Sequence, residues 1–341
     1  MINLYSDTQT RPSEGMRRAM YDAEVADEQR RIDPTVNKLQ ERVAELLGKE
    51  AALFLPSGTM CNAISFRVHI DKSGDEVILH EHAHPIVAEA GGPAAISGAM
   101  VKPLPSPTGI FSAEDVEQAV RPADRYLPRS RLVSVEQTTN MAGGRVWPQD
   151  TLRAVAEVAK RHDMRTHMDG ARLMNAVVAS GVSAAEHADG YDTVWVDFTK
   201  GLGAGVGACM AASAELIEQA WRYKQMWGGS MRQAGSIAAA GLYALDNNVE
   251  RLAEDHENAR ALADGLAQTP GVDIDPSTVE TNIVIFGVAD PDGLIDALRG
   301  EVELSGPFGS GRRLRAVTHM DVTRADIDQA LQKIGAVLNV R

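Results

Sequence analysis

"PTVNKLQERVAELLGKEAALFLPSGT", residues 34–59, sets a helix, a strand and a helix-opening turn in direct succession. Val36, Leu39, Val43, Leu46 and Leu47 recur on one face at the helical period, and Gly48 can close the helix in the left-handed region. "AALFL" is then a short apolar strand, and "LPSGT" turns the chain toward another helix.

Working outward, the alternation continues. "DEVILH", "RLVSVEQ", "RTHMD" and "DTVWVDFT" read as strands; "EDVEQAV", "PQDTLRAVAEVAKRHD", "ARLMNAVVAS" and "AELIEQAWRYKQM" read as helices. Strands separated by helices of this length imply right-handed crossovers and a mostly parallel α/β sheet covered on both faces. Near residue 245 the pattern changes. "NNVERLAEDHENARALADGLAQ" is a charged amphipathic stretch expected to form one long bridging helix. The strand-helix-strand-helix series after it forms a small α+β unit. The expected division is a large domain over 1–245 and a small C-terminal domain over 246–341.

Among 341 residues, 44% are hydrophobic and 24% charged, which suits a soluble globular protein with a sizeable core. Lys and Arg number 34 against 47 Asp and Glu, a formal charge of −13. That balance, without a basic cluster, argues against nucleic acid or an anionic membrane as partner. No secretory signal and no membrane-spanning apolar run is visible. Cys61 and Cys209 lack metal-site spacing, and buried thiols in a cytoplasmic protein are the expectation.

Ligands of a parallel α/β sheet bind at the carboxyl ends of its strands. Ser57, Gly58 and Thr59 lie at such an end and open a helix, so they can form an anion site from backbone N–H groups and the helix dipole; they also fit an ordinary turn. Asp169 ends another strand with Arg172 close behind, where it also fits a helix N-cap. Lys200 follows the strand "TVWVDFT" and enters the glycine-rich "KGLGAGVGA"; a lysine here either snorkels to solvent or is chemically used. His80, His82 and His84 alternate, but no carboxylate or cysteine completes a zinc spacing, so no metal is expected. Together, an anion cradle, an aspartate and a lysine at neighbouring strand ends suit pyridoxal phosphate, with the phosphate in the cradle, the lysine as covalent anchor and the aspartate on the pyridine nitrogen.

The chain also resembles the low-specificity threonine aldolases of the β-eliminating lyase group, pyridoxal-phosphate enzymes of fold type I. The resemblance runs nearly end to end, through "SDTQTRPS", "DPTVNKLQERVAELLGKEAALFLPSGTM", "HPIVAEAGG", "HMDGARLMNAVVASG", "TKGLGAGVG", "GGSMRQAG" and "LRAVTHMD". It implies a seven-stranded, mostly parallel sheet and cleavage of a β-hydroxy-α-amino acid to glycine and an aldehyde. Within the same fold, β-elimination, racemisation or transamination are alternatives, as is a catalytically lapsed homologue. Lys200, His84 and Asp169 would be catalytic. Ser57, Gly58, Thr59, Arg172 and Arg232 would complete the cofactor site, Arg232 reaching it from a neighbouring subunit of a homotetramer. Ser6, Arg172 and Arg315 would bind the substrate carboxylate.

Two segments depart from the family pattern. The loop before "DPTV" usually reads Gly-Asp-Asp-x-Tyr-Gly, and here it is "ADEQRRI"; the strand end usually read Glu-Asn-Thr-His-Asn is "EQTTN". Thr139 therefore stands where the family places a histidine often assigned to the aldol step. Arg31 becomes a candidate for a negatively charged substrate side chain, against the alternative that Arg30 and Arg31 only form solvated pairs with Glu28 and Asp33.

Overall fold

The helix Pro34–Leu47 forms where the apolar spacing predicts it, opened by the buried Asp33, whose carboxylate accepts from Thr35 N and Val36 N, and closed by Gly48 at φ 62°. It buries Val36, Leu39 and Val43 against the sheet. In this computed structural model, which describes residues 1–308 and 311–339, thirteen strands form: β1 (Ile2–Asn3), β2 (Ala51–Leu55), β3 (Glu76–His80), β4 (Met100–Leu104), β5 (Ser130–Glu136), β6 (Arg165–Asp169), β7 (Thr193–Asp197), β8 (Ala208–Ala212), β9 (Val272–Asp273), β10 (Ile283–Val288), β11 (Val302–Glu303), β12 (Ser305–Phe308) and β13 (Arg313–Val317).

Seven of them make one sheet in the order β2-β8-β7-β6-β5-β3-β4. β8 runs antiparallel between β2 and β7, and the other pairings are parallel. Apolar clusters cover both faces, as near-continuous hydrophobic strands require. The chain is thus a fold type I architecture with a small antiparallel sheet, β12-β13-β10-β9, beside it. Helices Leu252–Ala267 and Arg324–Asn339 pack around a second core, which also contains Ile2 and Leu4. β1 pairs with β11, so the N-terminal residues join the C-terminal layer.

The expected single helix over 247–268 is divided. One helix ends at Asn247 and the next begins at Leu252. Asn248 turns its side chain to donate to Leu202 O, and Arg251 pairs with Asp255 at the new start. The first of these helices, Gly235–Asn247, is mostly small and apolar, so it carries little amphipathic signal. β8, "ACMAA", lacks β-branched residues, and β4 contains Pro103 on an edge strand; neither resembles a strand by composition. No helix of the described residues is long and apolar enough to cross a membrane.

Candidate active site

The carboxyl ends of β2, β3, β5, β6 and β7 bring the chemistry-bearing side chains together. Ser57 caps the helix Gly58–His69, its hydroxyl accepting from Met60 N at 3.2 Å. Gly58 is required by closeness: a Cβ there would lie 2.3 Å from the Trp195 ring. The first-turn N–H groups of Gly58 and Thr59 remain an anion-binding edge. One turn further, the buried Asn62 accepts from Trp195 Nε1 at 2.8 Å and pairs its Oδ1 with His167 Nε2 at 3.0 Å. Those two contacts orient the amide so that Nδ2 donates to both Asp169 Oδ2 and Glu89 Oε1, each at 2.8 Å.

Asp169 is buried at the end of β6, and its other oxygen accepts from Ala171 N. Burial pushes its carboxyl up, only partly offset by Asn62 and by the more distant charges of His84 and Lys200. Among the described residues no side-chain cation pairs with it directly, and lone pairs remain free on both oxygens. A buried carboxylate in that state favours a cationic N–H partner, which a protonated pyridine nitrogen provides. The donor set fits pyridoxal phosphate on this ground.

Beside it in register, the buried Glu136 accepts from His84 N and Asn140 N. Burial and then the Asp169 carboxylate push Glu136 up to about 7. His84 opens a short helical turn and sets Nδ1 against Glu89 Oε1 at 2.8 Å; that hydrogen bond raises its pKa. The alternating histidines do not act as a set of three: His84 turns to Glu89. His80 and His82 stack edge to face, with His80 Nε2 on Ser106 O.

Lys200 follows β7 with φ 52°, a left-handed conformation that costs a non-glycine residue about 1 kcal/mol. Its ammonium pairs with Asp197 and lies 5.7 Å from the centroid of the Trp195 ring that packs on Gly58. The lysine is therefore held inward, not snorkelled: its side chain is 18% exposed. Thr10 Oγ1 donates to Lys200 O at 2.6 Å and draws the segment containing Ser6 and Asp7 over this strand end.

Arg172 is buried and clamps Asp7 through Nε and Nη2 at 2.8 and 2.7 Å. Burial alone would raise the Asp7 carboxyl, but Arg172 outweighs it and holds the group well below the usual carboxylate range. Arg315 on β13 donates from Nη1 to Asn140 Oδ1 at 2.7 Å, and Arg172 Nη1 reaches the same oxygen at 3.5 Å. Two guanidinium groups converging on one neutral acceptor can receive a carboxylate. Ser6 lies next to Asp7, its hydroxyl accepting from Thr8 N and Oγ1.

Two candidates stand apart from this cluster within the chain. Arg232 is exposed and donates to Asp27. Arg31, at φ 58°, makes a bidentate pair with Glu218 and lies over Trp221. The alternative pairs with Glu28 and Asp33 do not form, because both acids are buried: Glu28 takes Lys224 and Met231 N, and Asp33 caps its helix. Thr139 is engaged within its own turn. Its Oγ1 accepts from Arg145 N, and its side chain packs where a Cβ on Gly109 would stand.

Asp7, Asn62, Glu89, Glu136, Asn140 and Asp197 carry no motif that marks them in the sequence. A polar Asn62 in the otherwise buried helix "GTMCNAISFRVH" was the available signal. The others become visible only when strand ends are juxtaposed.

The Asn62 hub yields a pH prediction. Burial holds His167 down to about 3, against 6.5 in the unfolded chain. Between these values the unfolded state binds the extra proton, so stability falls as pH drops below about 6.5. The expected loss from pH 7 to pH 5 is about 2 kcal/mol for this group. Urea unfolding at the two pH values should show that increment in the natural protein and not in His167→Gln; equal losses would contradict it.

The Beta-eliminating lyase family model matches residues 3–290. The chain is 40% identical over 337 residues to low-specificity L-threonine aldolase 1 of Arabidopsis thaliana, covering 97% of this chain and 94% of that protein. It is 38% identical over 328 residues to low specificity L-threonine aldolase of Escherichia coli strain K12, covering 96% of each. A solved Leishmania major threonine aldolase has the same fold, with TM-score 0.86, 20% identity and coverage of 99% of this chain and 100% of that one.

Proposed function

The chain belongs to the β-eliminating lyase family, and from that premise we propose that it is a pyridoxal-phosphate-dependent aldolase cleaving threonine-like β-hydroxy-α-amino acids to glycine and an aldehyde. The near-full-length identity to low-specificity threonine aldolases carries the choice of reaction. The geometry supports the residue roles. Bound pyridoxal phosphate supplies an aldehyde that holds the amino group and a protonated ring that accepts the electron pair released as Cα–Cβ breaks.

The chain's own groups do the rest. Lys200 would anchor the cofactor, Ser57, Gly58, Thr59 and Arg172 would help hold it, and Asp169 would offer its carboxylate to the ring nitrogen. His84 would serve as base. Glu89, accepting from Nδ1–H, fixes the tautomer in which Nε2 is free to take the β-hydroxyl proton. Arg315, Arg172 and Ser6 would bind and orient the substrate carboxylate. Thr139 holds its turn and takes no proton.

The same reading divides the chain into residues 1–245 and 246–341, with the N-terminal strand crossing to the second layer. It makes the protein a cytoplasmic homotetramer, in which the exposed Arg232 and Arg31 approach a neighbouring protomer's site. Two buried free thiols, Cys61 and Cys209, suit a reducing compartment.

The reading is tested in the synthetic direction. Holoenzyme given glycine and an aldehyde should form a β-hydroxy-α-amino acid; absence of carbon–carbon bond formation with every aldehyde tried would contradict it. Arg315→Ala should raise KM for the amino acid by about tenfold or more while the cofactor absorbance is retained. An unchanged KM would remove Arg315 from carboxylate binding.

A further inference from the structure

One buried side chain touches two carboxylates of the site at once. Asn62, on the helix Gly58–His69, is 1% exposed. It faces Asp169 and His167 from β6, Trp195 from β7 and Glu89 from the turn after the helix His84–Val87. Both hydrogens of its amide are used, one on Asp169 Oδ2 and one on Glu89 Oε1, and that same Glu89 oxygen accepts from His84 Nδ1.

The direction of the amide is set from behind. Trp195 Nε1 can only donate, so Asn62 presents its oxygen there and its nitrogen to the carboxylates. The same oxygen requires His167 to carry its hydrogen on Nε2. His167 Nδ1 then accepts from Thr193 Oγ1 at 2.9 Å, and with that hydroxyl hydrogen used, His69 Nε2 donates to Thr193 Oγ1 at 3.0 Å. Burial lowers His167 to about 3 and His69 to about 4, so the chain stays neutral and keeps one direction. Every donor from His69 to Asn62 points toward the two carboxylates, and aligned hydrogen bonds polarise one another.

We infer that Asn62 is a positioning residue for both halves of the reaction: one amide hydrogen aims Asp169 at the cofactor's ring nitrogen, and the other holds Glu89 where it grips His84. The inference rests on the proposed aldolase reading and adds to it a group that acts through others. Two carboxylates near a common point repel, and asparagine is the shortest neutral side chain with a hydrogen for each. An aspartic acid in its place would donate to one carboxylate when protonated and to neither when ionised.

Asn62→Asp tests it in the holoenzyme, because it keeps the oxygen that Trp195 and His167 use; a purely structural Asn62 would be replaced without effect on the chemistry. The expected result is a kcat lower by about tenfold to a hundredfold with KM unchanged, the range for losing an outer partner that orients an active group. Relative to the natural protein, the kcat of this variant should fall further as pH rises, since the introduced acid loses its one donor hydrogen. Asn62→Ser, small and uncharged, repeats the comparison of kcat and KM without burying a charge. A spectroscopic readout accompanies turnover. With nitrogen-15 in the cofactor ring, that nitrogen should lose its proton about one pH unit lower in both variants than in the natural protein, while Glu89→Gln leaves its titration in place. In an Asp169→Asn background, Asn62→Ser should still lower kcat by about tenfold, through Glu89 alone. An unmoved nitrogen titration in folded Asn62→Ser, or no further loss of kcat in the Asp169→Asn background, would overturn the inference and leave the aldolase reading standing. If the natural holoenzyme yields no glycine and aldehyde, the aldolase reading itself falls and the inference falls with it.

Discussion

Lys200→Ala should yield a folded protein that no longer holds its cofactor covalently and has lost turnover by at least about three orders of magnitude. The size follows from losing both the anchor and the amine positioned at the reacting carbon, since positioned acid–base groups alone contribute about 10²–10⁴-fold. The structure gives a reason to expect the fold to survive. Lys200 has φ 52°, so removing its side chain discards no helix or strand propensity, and its ammonium partner Asp197 also accepts from Thr199 N and Oγ1. Borohydride should fix the cofactor on the peptide containing Lys200 in the natural protein and nowhere in the variant. A variant that still carries a reducible, covalently bound cofactor would contradict the assignment.

Asp169→Ala should cost turnover on the order of 10²–10³-fold, the range seen when one preorganised electrostatic partner of a reacting group is removed. The carboxylate is buried with Asn62 and Ala171 N holding its geometry, so its negative charge would act on a bound cation in a region that shields it poorly. Loss of the charge would remove the group proposed to keep the cofactor's ring nitrogen protonated and so weaken the electron sink. Asp169→Asn separates charge from shape: it should keep the fold and most cofactor binding yet resemble Asp169→Ala in kcat. Near-natural kcat in Asp169→Asn would show that the charge does not matter.

The large sheet was legible because its strands and helices alternate with clean periodicity, from Pro34–Leu47 through Ala214–Met226, and the crossover rule then leaves few topologies. What escaped were elements whose side chains carry no pattern: β8 with alanines, β4 with a proline, and the helix Gly235–Asn247. The same distinction holds at the site. Lys200, Asp169 and the Ser57–Gly58–Thr59 turn announce themselves by lying at strand ends. Asn62 and Glu136 act through partners far away in sequence, such as Asn62 with Asp169 and Glu136 with His84. Arg31 shows the converse: two arginines beside two acids suggest local pairing, but burial of Glu28 and Asp33 sends Arg31 to Glu218.

Product stoichiometry tests the central claim most directly. Purified holoenzyme should be incubated with L-threonine and with phenylserine, and glycine, aldehyde, ammonia and keto acid should each be quantified. The aldolase account predicts glycine and the matching aldehyde in equal amounts, acetaldehyde from threonine and benzaldehyde from phenylserine, with no ammonia or keto acid. Ammonia and a keto acid in place of glycine would show that the chain eliminates water and does not cleave Cα–Cβ, contradicting the account.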